Sequence, residues 1–236
     1  TPSDTPTATQ TPTATDTATV TPTPSPTLQP TLPPNGLIGR QDLLQVFRAS
    51  TILPFNDQIF IEEESGYRLG IPEQTDDEVI RITPPQDFLE AAFGNDAATR
   101  IRSVEATITL RVANPTVLDA EDATAFFGLQ LESATSGDNI GVRIDVSDSV
   151  ETNIINVSSI RNNNLEFLRQ RSVNFLSVRL RLERDPSTGN VTIFINGEAL
   201  TEAEPFIDPS LPVLPTIFVK DGGVLVEVSD WQINLR

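Results

Sequence analysis

Apolar residues recur at every second position along several segments of this 236-residue chain. Because successive side chains of a β-strand point to opposite faces, a period of two marks a strand with one buried and one wet face. The clearest case is 103–112, where Val104, Ala106 and Ile108 alternate with polar residues. About ten such segments predict an all-β fold, a two-sheet antiparallel jelly-roll sandwich. They are 58–71, 79–83, 103–112, 125–131, 140–146, 154–160, 177–183, 191–195, 216–220 and 224–235.

Turn and breaker residues add local detail to this pattern. The sequence 185–190, Asp-Pro-Ser-Thr-Gly-Asn, separates two strands and predicts a hairpin. In the last segment the apolar parity changes at Ser229-Asp230, which predicts a β-bulge or bend and places Trp231 in the core. Two short helices are predicted at 41–49 and 87–93, the second closed by Gly94-Asn95.

The first 34 residues have a different composition from the rest. They hold 9 of the 19 prolines, 13 threonines, no aromatic residue and two charges. Such a segment cannot bury a core, so it predicts a disordered or extended tail. We therefore divide the chain into a Thr/Pro-rich stalk or linker at 1–36 and a sandwich at 37–236, with its core from about 55 to 236.

Every odd position from Thr1 to Thr27 is Thr or Ser, which allows two interpretations of the tail. One is an extended stalk whose hydroxyls carry O-linked sugars. The other is a donor strand for a neighbouring subunit, since in a β conformation all the threonines face one way. Proline limits such a strand to short pieces, which favours the stalk. The candidate O-glycosylation positions are Thr5, Thr7, Thr9, Thr11, Thr13, Thr15, Thr17, Thr19, Thr21 and Thr23.

Composition excludes several classes of function. The net charge of −17 argues against a nucleic-acid partner. Without His or Cys the chain has no imidazole base, no thiolate and almost no means of binding a transition metal. No apolar run reaches the roughly 18 residues of a membrane span. The Met-free chain, which opens on Thr1, is expected to be a processed chain or an excised fragment.

Three segments carry a resemblance to a known superfamily. Residues 174–197 resemble the central hairpin of concanavalin A-like lectin and glucanase (laminin G-like) domains, in which an Asp/Gly turn precedes a strand that ends in Asn-Gly. Residues 125–131 and 222–233 are similar to two further strands of that superfamily. The resemblance implies a sandwich fold and a protein that binds or hydrolyses glycans. The stalk resembles those of bacterial surface proteins, which implies an extracellular or cell-surface location.

Catalysis is not expected. Glycoside hydrolases need two carboxylates in one cleft, and the laminarinase-like pattern Glu-x-Asp-x-x-Glu is absent. Glu62, Glu63 and Glu64 are contiguous and would alternate between faces, so they indicate a solvated edge. No Ser-His-Asp triad can form without histidine.

Calcium is the metal that the composition favours, since it takes carboxylate and carbonyl oxygens. No loop has an EF-hand spacing, and solvated acidic loops explain the clusters better. The sequence therefore implies no cofactor apart from candidate calcium ligands at Asp76, Asp77, Asp119 and Asp122, with a further Asp145/Asp148 pair.

Glycan recognition usually needs an aromatic platform beside amides and carboxylates. Tyr67 is a candidate platform, whereas Trp231 is assigned to the core. Asn156 and Asn190 begin N-glycosylation sequons, which often arise by chance. Charged residues on outward positions can bind sugar, although ion pairs between strands explain them better. These are Arg143, Asp145, Arg179, Arg181 and Glu183.

Three functions are consistent with these features. The first is a non-catalytic extracellular structural or adhesion protein, with self-assembly into a surface filament through the tail or a sheet edge as its specific form. The second is a glycan-binding module on a spacer. The third, a hydrolase with an unfamiliar carboxylate pair, rests on the resemblance alone.

Overall fold

The structure is a computed structural model that describes residues 51–53, 60–63, 66–70, 79–114, 125–146, 153–161, 164–173, 176–220 and 223–235. These residues form fourteen strands and one helix, α1 (Gln86–Phe93). The strands are β1 (Thr51–Leu53), β2 (Phe60–Glu63), β3 (Gly66–Leu69), β4 (Val79–Thr83), β5 (Ile101–Ala113), β6 (Ala125–Ser133), β7 (Asn139–Val146), β8 (Asn153–Arg161), β9 (Asn164–Val173), β10 (Ser177–Arg184), β11 (Val191–Ile195), β12 (Glu198–Ala199), β13 (Val213–Lys220) and β14 (Val224–Leu235).

The strands form two sheets of seven. Sheet I has the order β1-β4-β13-β6-β7-β8-β9, and sheet II has the order β12-β11-β10-β5-β14-β3-β2. All pairings among these strands are antiparallel. The sheets stack face to face, with β10 and β14 against β6 and β11 against β7. The predicted all-β two-sheet sandwich is confirmed.

One apolar cluster fills the space between the sheets. In β5 the predicted alternation is confirmed, since Val104, Ala106 and Ile108 are fully buried and the residues between them are partly exposed. Trp231 is 1% exposed and belongs to the same cluster, as the sequence predicts. Each fully buried Val, Leu or Ile side chain contributes about 1.5–3 kcal/mol to folding, so this cluster is the main source of stability.

Three local predictions are confirmed. Strands β10 and β11 form the expected hairpin, from Arg184 opposite Val191 to Leu180 opposite Ile195. The register of β14 against β5 shifts between Ser229 and Gln232, where Asp230 has a φ of 52°, which is the predicted bulge. Helix α1 buries Leu89 and Phe93 and ends at Gly94, whose φ of 89° suits glycine.

The structure differs from the sequence prediction in four places. The single strand predicted at 58–71 is wrong, because β2 and β3 pair with each other, with Glu63 opposite Gly66. Strands β1, β9 and β12 were not predicted, since β1 and β12 are only three and two residues long and β9 is mainly polar. The predicted helix at 41–49 and the stalk at 1–36 lie outside the described residues.

Two Asp-Pro-Ser turns meet at one end of the sandwich. In the first, Asp185 Oδ1 accepts hydrogen bonds from the backbone N and Oγ of Ser187 at 2.7 and 2.6 Å. In the second, Asp208 Oδ1 accepts the same pair from Ser210 at 2.8 and 2.6 Å. Gly189, at the end of the first turn, lies against the backbone of Ile207 and Pro209 beside the second. The two turns therefore pack against each other.

The inner face of β10 continues into this end. Val178, Leu180, Leu182 and Arg184 share one parity, and all four are buried. Arg184 is 2% exposed and donates to the carbonyl oxygens of Thr99 at 3.4 Å, Asp208 at 2.9 Å and Leu211 at 3.0 Å. Its guanidinium thus joins β10 to the loop before β5 and to the second Asp-Pro-Ser turn.

The Asp185 and Asp208 carboxylates of these turns should make the domain less stable in acid. Hydrogen bonds from Ser187 lower the pKa of Asp185 to about 2, and those from Ser210 lower the pKa of Asp208 below its ordinary value. Because the folded pKa is below the unfolded value of about 3.8, this stabilisation is complete above that pH and is lost as pH falls towards 2. The Asp185→Asn variant should show a shallower decline of the urea midpoint between about pH 5 and pH 2. Identical slopes in both proteins would contradict the assignment.

Candidate functional site on the outer face of sheet I

Two rows of residues cross the outer face of sheet I, on the side away from the core. Their order follows from the strand register of β13, β6, β7, β8 and β9. The first row consists of Phe218, Gly128, Arg143, Asn156 and Gln170, and the second of Thr216, Gln130, Gly141, Ser158 and Phe167. We call this surface the outer face.

Glycines shape the middle of the outer face. A Cβ on Gly128 would overlap the carbonyl oxygen of Val142 and the Phe218 ring, and one on Gly141 would overlap Gln130. The two missing side chains thus leave room for Phe218 and Gln130, which are 8% and 7% exposed. This part of the outer face is closely packed.

A hydrogen-bonded network lies beside this packed centre. Arg143 Nε donates to Asp145 Oδ1 at 2.5 Å, and Asn156 Nδ2 donates to Asp145 Oδ2. The Arg143 guanidinium also stacks on the Phe126 ring, 4.1 Å from its centroid. Both oxygens of Asp145 are therefore used to hold two neighbours, and Asn156 keeps its amide oxygen for another partner.

Exposed apolar side chains lie on the outer face at β9, the neighbour of β8. Leu165 and Phe167 are 56% and 69% exposed, and they lie in register with Ile160 and Ser158. A bulge in the pairing of β8 and β9 follows Val157, where Leu168 packs against the core. The outer face thus joins hydrogen-bonding groups to an exposed aromatic ring.

The structure separates the five outward charged residues that the sequence indicated. Arg143 and Asp145 lie together on the outer face of sheet I. The other three are in β10 of sheet II, where Arg179 pairs with Glu105 and Arg181 pairs with Glu183 at 3.5 Å. The predicted pairing between strands is confirmed for Arg179 and Glu105 alone, because Arg143–Asp145 lies within β7 and Arg181–Glu183 lies within β10.

The remaining sequence candidates have different outcomes. Among the described residues there is no group of three or more Asp or Glu that could hold a metal ion. The calcium candidates Asp76, Asp77, Asp119 and Asp122 lie outside those residues, as do Asp148 and the side chain of Tyr67. The prediction of calcium sites is thus not tested.

Both sequons lie in described segments. Asn156 is partly buried in β8 and bonded to Asp145, and Asn190 is partly buried at the end of the Asp185 turn. Glycosylation at either position stays a prediction.

Three aromatic residues of the outer face, Phe126, Phe167 and Phe218, were missed by the sequence analysis. Phe126 and Phe127 are adjacent in a strand, so one of them must face outward, and this signal was available. Phe167 follows a polar Asn-rich segment whose apolar residues are too few to predict a strand. Its exposure depends on the pairing of β9 with β8, which no local pattern indicates.

Comparison with known proteins places the fold but not the family. No family model and no curated protein match the chain. It is similar to a functionally unknown protein from Saccharomyces cerevisiae, with a TM-score of 0.50 and 15% identity over 80% of this chain and 98% of that one. It is also similar to a carbohydrate-binding module, CBM66, from Bacillus subtilis, with a TM-score of 0.49 and 11% identity over 79% of this chain and 96% of that one. For a legume lectin-like domain from Entamoeba histolytica the TM-score is 0.45 and the identity is 14%, over 80% of this chain and 91% of that one.

At these identities the likenesses concern the fold alone. The first agrees with the two-sheet sandwich described above, which is also the fold that the resemblance to concanavalin A-like domains implies. Within the described segments, no helix has the length and apolarity needed to cross a membrane.

Proposed function

We propose that the chain is a non-catalytic glycan-binding module that holds saccharide on the outer face of sheet I. The observation that carries this proposal is the Phe167 ring, 69% exposed and in register with Ser158 beside the network of Arg143, Asp145 and Asn156. Sugars present C–H faces that stack on aromatic rings and hydroxyls that take hydrogen bonds. The outer face offers both kinds of contact side by side.

Rigidity of the polar groups supports this proposal. Asp145 holds Arg143 and Asn156 from two adjacent strands, so a ligand would not have to order them. Both Asp145 oxygens accept these bonds, which suits a positioning role better than acid or base catalysis. The proposed module therefore binds its saccharide without cleaving it.

The test is a screen of the full chain on an array of oligosaccharides, followed by titration of the best ligand. Phe167→Ala should weaken binding at least about tenfold, as removal of an aromatic anchor at a binding site does. The matched control is Phe194→Ala, which removes a ring from the outer side of β11 in sheet II, where Arg181 stacks on it at 4.0 Å. This control should retain full affinity.

Two results would overturn the proposal. One is an array on which the folded chain binds nothing. The other is equal loss of affinity in Phe167→Ala and Phe194→Ala, because the sheet II ring has no place in the proposed site. Thermal denaturation of both variants shows whether each is folded when it is titrated.

A second candidate, self-assembly, is favoured by the edge of sheet I. Strand β9 has ten residues, and no described strand pairs with its outer edge. Long edges with exposed apolar residues such as Leu165 are templates for pairing with another chain. A surface filament or adhesion protein would use such an edge to pair with the next copy.

A charge on this edge should prevent that assembly. Leu165→Lys is expected to convert any oligomer seen by analytical ultracentrifugation to a monomer, since edge lysines block strand pairing. Deletion of residues 1–34 serves as the comparison, because it removes the Thr-rich tail and leaves β9 intact. Assembly that survives Leu165→Lys but is lost with the deletion would assign the donor strand to the tail instead of β9.

The setting of the module is part of the proposal. We assign residues 1–36 to a stalk that carries O-linked sugar on its threonines and holds residues 37–236 outside the cell, on a bacterial surface. Intact-mass analysis of material from the native source should show sugar mass that is lost when residues 1–34 are removed.

A further inference from the structure

A cleft at the end of the sandwich is lined by several arginines. It measures about 400 Å³, within the range of about 300–1,000 Å³ typical of ligand pockets. Its lining comes from the loop before β5, the start of β5, the end of β10 and the two Asp-Pro-Ser turns. The lining residues are Asp96, Thr99, Arg100, Ile101, Arg102, Arg184, Pro186, Pro209 and Ser210.

Three arginines and one aspartate line this cleft, in a chain whose net charge is −17. The two turns that flank the cleft each carry one carboxylate, Asp185 and Asp208, and these accept their hydrogen bonds from Ser187 and Ser210. Three guanidinium groups in one cleft are nevertheless a local concentration of anion-binding groups on a surface that otherwise repels anions.

Arg184 contributes a buried cation to the inner wall of the cleft. It is 2% exposed, and its hydrogen bonds go to three carbonyl oxygens. Within the described part of the chain no carboxylate forms a salt bridge with it, and its Nε has no hydrogen-bond acceptor. A buried charge whose hydrogen bonds all go to neutral carbonyl groups is stabilised further by an anion placed nearby.

Arg102 supplies the accessible contact. Its side chain is exposed at the start of β5, close to the cleft mouth, and Arg100 beside it donates from Nη2 to Phe93 O at 2.7 Å. Guanidinium groups bind carboxylate and sulfate oxygens with two parallel hydrogen bonds. The cleft thus combines the exposed guanidinium of Arg102 with the buried guanidinium of Arg184.

We propose that this cleft binds an oxyanion group, the carboxylate or sulfate of an acidic ligand, with Arg102 as the direct contact and Arg184 as the internal charge. The site is separate from the outer face of sheet I, because it uses the end of β10 and the two turns. Its occupation does not depend on the glycan site proposed above.

The test is an NMR titration of the full chain with sodium sulfate, sodium glucuronate and glucose. Both anions should shift the backbone amides of Thr99, Arg102 and Ser210 saturably, and glucose should not. Arg102→Gln should weaken both anions at least about fivefold, as expected for loss of a charge-assisted contact. The matched control is Arg169→Gln, which removes one exposed arginine charge from β9, and it should change the affinity less than about twofold.

Comparison of glucuronate with sulfate shows which kind of ligand supplies the anionic group. Tighter binding of glucuronate than of sulfate would assign the site to an acidic saccharide, and equal binding would assign it to the oxyanion group alone. The proposal is overturned if neither anion gives saturable shifts, or if Arg102→Gln and Arg169→Gln weaken binding equally. Phe167→Ala should leave the anion shifts unchanged, so failure of the glycan proposal and failure of this one are distinguishable.

Discussion

Replacement of Gly189 by alanine is expected to destabilise the domain by at least about 3 kcal/mol. Gly189 has a φ of 75°, a conformation that side chains with a Cβ rarely adopt. In addition, its new Cβ would overlap the carbonyl oxygen of Ile207 and lie 3.1 Å from Pro209 N. Both groups are backbone, so neither can move aside without displacing the second Asp-Pro-Ser turn.

Gly137 offers a matched control. Its φ of 73° is nearly the same, but a Cβ there would have no atom within 4 Å. Gly137→Ala should therefore lower the free energy of unfolding by only about 1 kcal/mol, the cost of placing alanine at a positive φ. Urea denaturation of the two variants measures the difference in free energy of unfolding. Equal losses would mean that the contact between the two turns adds nothing to stability.

Sequence reasoning succeeded where one strand carries its own signal. Val104, Ala106 and Ile108 alternate with polar residues because one face of β5 is buried and the other is not. The bulge at Asp230 was visible because the apolar parity changes there. In both cases the pattern that folds the strand lies within a few neighbouring residues.

Features that depend on the pairing of one strand with another were missed. Strand β9 pairs with β8, but its side chains are mostly exposed. Burial therefore imposes no alternation of apolar and polar residues on its sequence. The same applies to the candidate site. Asp145 was considered a calcium ligand and Asn156 a sequon, but their hydrogen bond follows from the register of β7 against β8.

Arg184 is a different case, because its burial contradicts the usual rule for charged residues. The parity of β10 places it on the inner face, where an arginine is expected to be excluded. Three carbonyl oxygens from two loops solvate it instead, Thr99 in one and Asp208 and Leu211 in the other. These loops lie 24 to 85 residues away in the sequence, so a local pattern gives no sign of them.

Substitution of Arg184 by leucine is therefore expected to destabilise the domain by about 3 kcal/mol, because carbonyl oxygens that accept its hydrogen bonds lose their donor. Leucine avoids the desolvation that lowers the pKa of the Arg184 guanidinium, but it cannot donate to the carbonyls of Thr99, Asp208 and Leu211. The Asp208 carbonyl still accepts from Leu211 N at 3.0 Å, so the carbonyls of Thr99 and Leu211 are the two that lose a donor. Each buried carbonyl without a donor costs about 1–3 kcal/mol, and for two such groups this loss exceeds the gain.

The control for this substitution is Arg181→Leu, three residues earlier in the same strand. Arg181 faces outward, where it pairs with Glu183 and stacks on Phe194, and loss of these exposed contacts should cost less than about 1 kcal/mol. Arg184→Lys separates charge from hydrogen bonding, because it keeps the cation but loses the planar fork that reaches several loops. A lysine variant as unstable as the leucine variant would assign the role of Arg184 to its hydrogen bonds. If Arg184→Leu and Arg181→Leu were equally stable, the guanidinium would not hold this end of the sandwich together.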